Sequence, residues 1–155
     1  RSGVGSFATS AQAVDAALSD LDISASDVTL YDASGLSTVN SVPARTFTQV
    51  LSSMVRNPAM WWAWPIPSGL PVAGVTGTLA NRFFTADTFA GAGVVRAKTG
   101  TLTGVSSLVG TVVDRDGRLL VFAFVADGAG DVDQSRSVLD QAATVLAQCG
   151  CRVSS

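Results

Sequence analysis

Residues 94–126 read VVRAKTGTLTGVSSLVGTVVDRDGRLLVFAFVA, and this stretch decides the fold. It divides into three β-type runs, Val94 to Leu102, Val105 to Asp114 and Arg118 to Ala126, with Asp114-Arg115-Asp116-Gly117 as a hairpin turn between the last two. Runs of β-branched and aromatic residues bounded by Gly and Asp suit a pleated, half-buried surface and its tight turns. Such short connections allow only antiparallel neighbours, so the runs form a meander. The third, Leu119-Leu120-Val121-Phe122-Ala123-Phe124-Val125, is apolar at every position instead of every second one. A strand of that kind is expected at the centre of a sheet, covered on both faces by helices.

The flanks supply the helices. Asp131 to Ala147 has Val132, Val138, Leu139, Ala142, Ala143, Val145 and Leu146 available to pack on the sheet, and Gly150 stops it. Upstream, Ser10 to Leu21 places Ala13, Val14, Ala17, Leu18 and Leu21 at helical spacing behind an N-cap at Ser10. Pro43, near N1, opens another helix to about Arg56, with Phe47, Val50, Leu51 and Met54 as its buried stripe. Val28 to Tyr31 is a short β-type run leading into the turn chemistry of Asp32-Ala33-Ser34-Gly35-Leu36-Ser37. Asn57 to Gly77 holds four prolines and Trp61, Trp62 and Trp64, an irregular segment expected to be pinned by its aromatics packing on the surface, with a ligand platform as the alternative for the three rings. Thr78 to Phe84 reads as a short helix or turn. The expected fold class is an α/β sandwich, an antiparallel sheet flanked by helices, without internal repeats.

Composition removes whole mechanisms. The 155 residues contain no His, which excludes within the chain Ser-His-Asp and Cys-His nucleophiles and His-containing zinc sites. The 12 acids are all Asp, and of 10 basic residues nine are Arg and one, Lys98, is Lys. A net charge of −2 with scattered arginines gives no basic stripe for phosphates, so no nucleic-acid partner is expected. The longest apolar stretch, Leu119 to Ala126, is far short of the ~20 residues of a membrane-spanning helix, so no transmembrane segment is expected here. No metal or cofactor is implied. Cys149 and Cys151 are too close and too poor in neighbouring ligands for zinc; a strained bridge between them, a disulfide to a partner elsewhere and free thiols all stay open.

Lys98-Thr99-Gly100 inside the first strand is a weak signal alone, and its company strengthens it. Asp32 to Ser37 with Asn40, Leu70-Pro71-Val72-Ala73-Gly74 with Gly77-Thr78-Leu79, Ala97-Lys98-Thr99-Gly100-Thr101-Leu102, and Val105 to Gly110 occur in one order. In these four stretches the chain resembles the penicillin-binding protein 4-type D-alanyl-D-alanine carboxypeptidases and endopeptidases, the S13 peptidases of the serine β-lactamase-like superfamily. That superfamily uses Ser-x-x-Lys, Ser-Asp-Asn and Lys-Thr-Gly. Only the third is present: with Lys98 as sole lysine the first motif would need Ser at 95, where Val95 stands, and no Ser-Asp-Asn occurs. The expectation is that residues 1–155 are the C-terminal part of a penicillin-binding, transpeptidase-like domain whose nucleophile lies on an N-terminal segment outside this chain.

The resemblance implies an acyl-transferring serine D-Ala-D-Ala carboxypeptidase or endopeptidase, acting on peptidoglycan stem peptides, acylated by β-lactams, and located in the cell envelope, periplasmic or secreted. A β-lactamase or esterase on the same fold and an inactive peptidoglycan-binding module are the alternatives. On that reading Lys98 supplies an ammonium beside the nucleophile, and the Thr101 backbone N–H is an oxyanion-hole donor. Thr99 offers a hydroxyl to the substrate carboxylate, and Gly100 leaves room for the substrate backbone. Leu36, Leu102 and Thr103 line the pocket for the peptide side chain, while Asp32 is read as a turn-holding carboxylate.

Overall fold

The computed structural model describes residues 5–128 and 130–150. Three antiparallel strands, β1 (Arg96–Leu102), β2 (Val105–Val113) and β3 (Leu119–Asp127), are ordered β1-β2-β3. The register pairs Leu102 with Val105, so the first hairpin turns on Thr103-Gly104 alone, and Gly104 takes the left-handed conformation (φ +76°) that its lack of a Cβ permits. In the second hairpin the Asp114 carboxylate accepts from the amides of Asp116 (2.9 Å) and Arg118 (2.8 Å), which is why an Asp opens this turn.

β2 is the central strand, and β3 lies at an edge of the sheet, contrary to the position its uninterrupted apolar run predicts. Helices do flank both faces. The C-terminal helix (Val132–Gln148), α4 in the chain, is capped by Asp131, whose carboxylate accepts from Asp133 N (2.8 Å) and Gln134 N (3.2 Å). It buries Leu139, Ala143 and Ala147, one turn apart, in a single core with Ala97, Leu108, Val112 and Phe122 of the sheet. Val138 and Val145, expected in that stripe, fall on the solvent side. α2 (Ala44–Arg56) packs on β3 and buries Leu51, but Phe47 stays exposed. Pro43 is its N-cap residue, one position earlier than N1.

α1 (Phe7–Asp20) begins at Ser6, not Ser10. Ser6 Oγ accepts from Thr9 N (3.1 Å) while Thr9 Oγ1 accepts from Ser6 N (2.9 Å), a reciprocal cap with Thr in the place usually taken by Glu. The Val28 to Tyr31 run forms no strand, only an isolated bridge between Thr29 and Ser41. A 3₁₀ turn (Pro58–Ala63) carries Trp61 and Trp62, and Trp64 links it to the four-residue α3 (Pro65–Ser68). Trp61 is 73% and Trp62 63% exposed, so these rings do not pin the segment; Met60, Ala63 and Pro67 are its buried residues. Cys149 ends α4, and Cys151 lies outside the described residues. Among the described residues no helix is long and apolar enough to cross a membrane.

Candidate active site

β1 is the other edge of the sheet, and only its first half is covered. Ala97 N donates to Pro71 O (2.9 Å), Ala73 N donates to Val95 O (2.9 Å), and Val72 bridges to Arg96, so the 71–73 segment lies along the strand as far as residue 97. Hydrogen-bonding direction alternates along a strand. Since the Ala97 amide points away from β2, the amides and carbonyls of Thr99 and Thr101 point to that side too, beyond the end of the covering segment. The open edge therefore starts at Lys98.

Side chains alternate as well. Ala97, Thr99 and Thr101 share the α4 face, and Lys98, Gly100 and Leu102 the other. Lys98 is exposed, its Nζ donating to the Thr99 carbonyl at 2.6 Å. Thr99 Oγ1 donates to Thr78 Oγ1 at 3.0 Å. Gly100 faces Ser107 on β2, where a Cβ would lie 2.4 Å from Ser107 Oγ, so the nearest constraint on this glycine is its cross-strand neighbour. Leu102 is half-buried at the strand end and Thr103 is exposed in the turn.

Thr99 and Thr101 also open onto a cavity of about 540 Å³ shared with Thr78, Asn81, Phe84, Asp133 and Arg136. Arg82 and Asp140 line it as a bidentate pair, Nη2 to Oδ1 at 2.7 Å and Nε to Oδ2 at 3.0 Å, and Arg82 Nη2 also donates to Arg136 O (3.3 Å). Burial pushes the Asp140 carboxyl up from its ordinary value, and the Arg82 contact pulls against it. This pair joins the 77–88 region to α4. Sequence reading missed Arg82, Asp140 and the Thr78 contact, because their partners are 58 and 21 residues away.

Leu36 sits apart from this edge, 73% exposed, and lines neither that cavity nor the groove between α1 and α2. Its loop is closed by Asp32, which accepts from Ser34 Oγ and from Asn40 Nδ2 (2.6 Å), while Asn40 Oδ1 accepts from Tyr31 N (2.8 Å). The Ser34 hydroxyl, then Asn40, hold the Asp32 carboxyl below its usual range. Among the described residues no group of three or more acids or cysteines could hold a metal.

The three-stranded antiparallel sheet between helices, with Lys-Thr-Gly on an edge strand, is the arrangement of a penicillin-binding, transpeptidase-like fold, on which the chain superposes. Residues 1–149 match the D-Ala-D-Ala carboxypeptidase 3 (S13) family, and the chain belongs to it. A carboxypeptidase of Mycobacterium tuberculosis is 42% identical over 147 residues, which cover 94% of this chain and 31% of that protein. A D-alanyl-D-alanine carboxypeptidase of an Actinomadura species is 40% identical over 131 residues, 81% of this chain and 23% of that one. Penicillin-binding protein 4 of Haemophilus influenzae, solved in complex with a β-lactam, superposes with a TM-score of 0.78 at 27% identity over 94% of this chain and 34% of that chain. The chain thus spans no more than about a third of the length of these relatives.

Proposed function

We propose that this chain is the C-terminal part of the penicillin-binding domain of a serine D-Ala-D-Ala carboxypeptidase or endopeptidase, and that the rest of the same protein supplies the nucleophile. The observation that carries the reading is the open second half of β1, where Lys98, Thr99, Gly100 and Thr101 combine an ammonium, a hydroxyl and outward backbone amides. Two further features support a partner segment. A groove of about 1370 Å³ between α1 and α2 is lined largely by apolar side chains, among them Val14, Leu18, Leu21, Val50, Met54 and Met60. β3 is apolar on both faces and, among the described residues, pairs with no strand along its outer edge.

The reaction is acyl transfer. A serine hydroxyl from the partner segment attacks the carbonyl carbon of the penultimate D-Ala of a peptidoglycan stem peptide. The peptide C–N bond breaks, the serine proton passes to the leaving amine, and water hydrolyses the resulting ester. Lys98 places a positive charge where the substrate carboxylate and the serine proton meet, and Thr99 donates to that carboxylate. The outward amide of Thr101 faces the developing oxyanion, a donor of the kind whose removal costs ~3 kcal/mol in the transition state. Gly100 keeps the strand flat while the peptide pairs along its edge. Leu102 and Thr103 at the strand end, with Leu36 from its exposed loop, receive the side chain of the acyl residue. β-Lactams acylate the same serine, and the protein works in the cell envelope, periplasmic or secreted.

Fluorescent penicillin tests this on the full-length protein. A covalent label on a serine N-terminal to residue 1 is expected; complete absence of label in the folded protein rules the peptidase out in favour of an inactive peptidoglycan-binding module. Rapid release of label as hydrolysed penicillin would instead make it a β-lactamase.

A further inference from the structure

We propose that Thr78 is a positioning residue for carboxylate recognition: its hydroxyl holds that of Thr99 and, once substrate is bound, donates to it. This rests on the reading of Thr99 as the hydroxyl that meets the substrate carboxylate.

Geometry gives the first part. Thr99 Oγ1 donates to Thr78 Oγ1 at 3.0 Å, so the Thr99 proton is engaged by Thr78. A carboxylate has only acceptors, and Thr99 can bind it only by turning that proton outward. The vacated Thr99 lone pair then needs a donor. Thr78 has one, and a hydroxyl that receives a hydrogen bond is polarised to donate a stronger one. Two hydroxyls in series thus adapt to an arriving anion, where a single threonine would leave an acceptor unmatched.

The loop around Thr78 is built to hold it still. At one end the 71–73 segment is bonded to β1, and Val72 N donates to Thr76 Oγ1 (2.9 Å). Gly74 N donates to Leu79 O (2.9 Å), and Ala73 and Leu79, either side of Thr78, are fully buried. Gly77 has φ +57°, and a Cβ there would meet Pro71 Cγ at 3.1 Å, so a side chain in the turn before Thr78 would be strained. At the far end Arg82 is anchored to Asp140 on α4. Thr78 is nevertheless exposed, and it lines the cavity with Thr99 and Thr101. A loop so firmly fixed that presents one exposed hydroxyl to an edge strand accounts for Leu70–Gly74 and Gly77–Leu79, to which no role in the chemistry has so far been given.

The test uses the full-length protein with two peptide substrates, one ending in D-Ala-D-Ala with a free carboxylate and one with that carboxylate converted to an amide. Thr78→Val keeps the shape and removes the hydroxyl; Thr78→Ser keeps the hydroxyl. Thr78→Val is expected to lower kcat/KM on the free acid about tenfold, as for loss of one hydrogen bond in a charged pair. It should leave the poorer amide substrate unchanged, and Thr78→Ser should restore the acid to within about twofold. Equal losses on both substrates, or failure of Thr78→Ser to rescue, would make Thr78 merely structural and overturn the proposal. An active wild type with an unaffected Thr78→Val overturns it alone, whereas a wild type inactive on the acid and unlabelled by penicillin overturns the peptidase reading as well.

Discussion

β1 and β3 flank the same central strand and differ in nearly everything that matters at the edge of a sheet. β1 carries Arg96 and Lys98, is covered by the 71–73 segment as far as Ala97, and opens only over residues 98–102. β3 has one charged residue, Asp127 at its end, and leaves Leu119 47% and Val125 42% exposed. Bare, apolar strand edges recruit other strands, and proteins blunt the ones they mean to leave free with charges or covering segments. The contrast teaches that β1 is a finished edge with an opening over residues 98–102, while β3 is an apolar edge strand, which on the proposed reading the rest of the same protein covers.

The opening is broken most directly at Lys98. Lys98→Ala in the full-length protein should reduce acylation by penicillin by about 10²–10³-fold, the range for deleting one preorganised electrostatic contact in an acyl-transfer site. The melting temperature should not move, because the Lys98 side chain is exposed and, among the described residues, bonds only to the neighbouring carbonyl. Wild-type labelling of that variant would reduce Lys98 to the solubilising charge common on strand edges.

Gly110 on β2 tests how firmly the finished edge is held. A Cβ at this position would lie 2.0 Å from Arg96 O and 2.6 Å from Ala97 Cα, so Gly110→Ala must push β1 away from its neighbour. A loss of about 3 kcal/mol in unfolding free energy by urea titration is expected, at the upper end for overpacking. Acylation should fall with it. Labelling preserved in the destabilised variant would show that the 71–73 segment, more than β2, fixes the position of β1.

The edge at β3 is read by amide hydrogen exchange in the full-length protein. Amides of β3 that point away from β2 should exchange at least ~100-fold more slowly than those of Thr99 and Thr101, since exchange follows the free energy of exposing each bond. Equal rates at the two edges would mean that no partner strand covers β3.

Much of this contrast is legible in the sequence, and its gaps have physical reasons. Three strands, both hairpins and the last helix follow from local signals: Gly104 and Gly117 at left-handed positions, Asp114 and Asp131 as turn and cap acceptors. The central place expected of β3 came from its two apolar faces, but apolar faces record packing above and below a strand and do not say which strands lie at its edges. Ser6 escapes notice as a cap because its partner at N3 is Thr9 instead of an acid. Phe47, Trp61 and Trp62 are apolar residues on the surface, and periodicity does not say which apolar face has its partner in the chain. Lys98 to Thr101 are found together because they are consecutive. The Thr78 contact arises only when a loop 21 residues upstream docks on β1, and no local pattern encodes that.

The smallest effect is expected at the loop that holds Leu36, away from both edges. Asp32 is depressed from its ordinary carboxyl value by the hydrogen bonds it accepts from Ser34 and Asn40. A carboxyl whose folded value lies below its unfolded value of 3.8 adds stability that is complete above that pH and disappears as the pH falls through the folded value. Wild-type protein should therefore lose stability below pH ~4 more steeply than Asp32→Asn, in which nothing at this position titrates. Because the Thr29 and Ser41 backbone bridge closes the loop independently of that carboxylate, Asp32→Asn should leave acylation by penicillin near wild type at neutral pH. If labelling or peptide turnover falls sharply instead, the Asp32 carboxylate, and not the backbone bridge alone, is what holds Leu36 against the substrate.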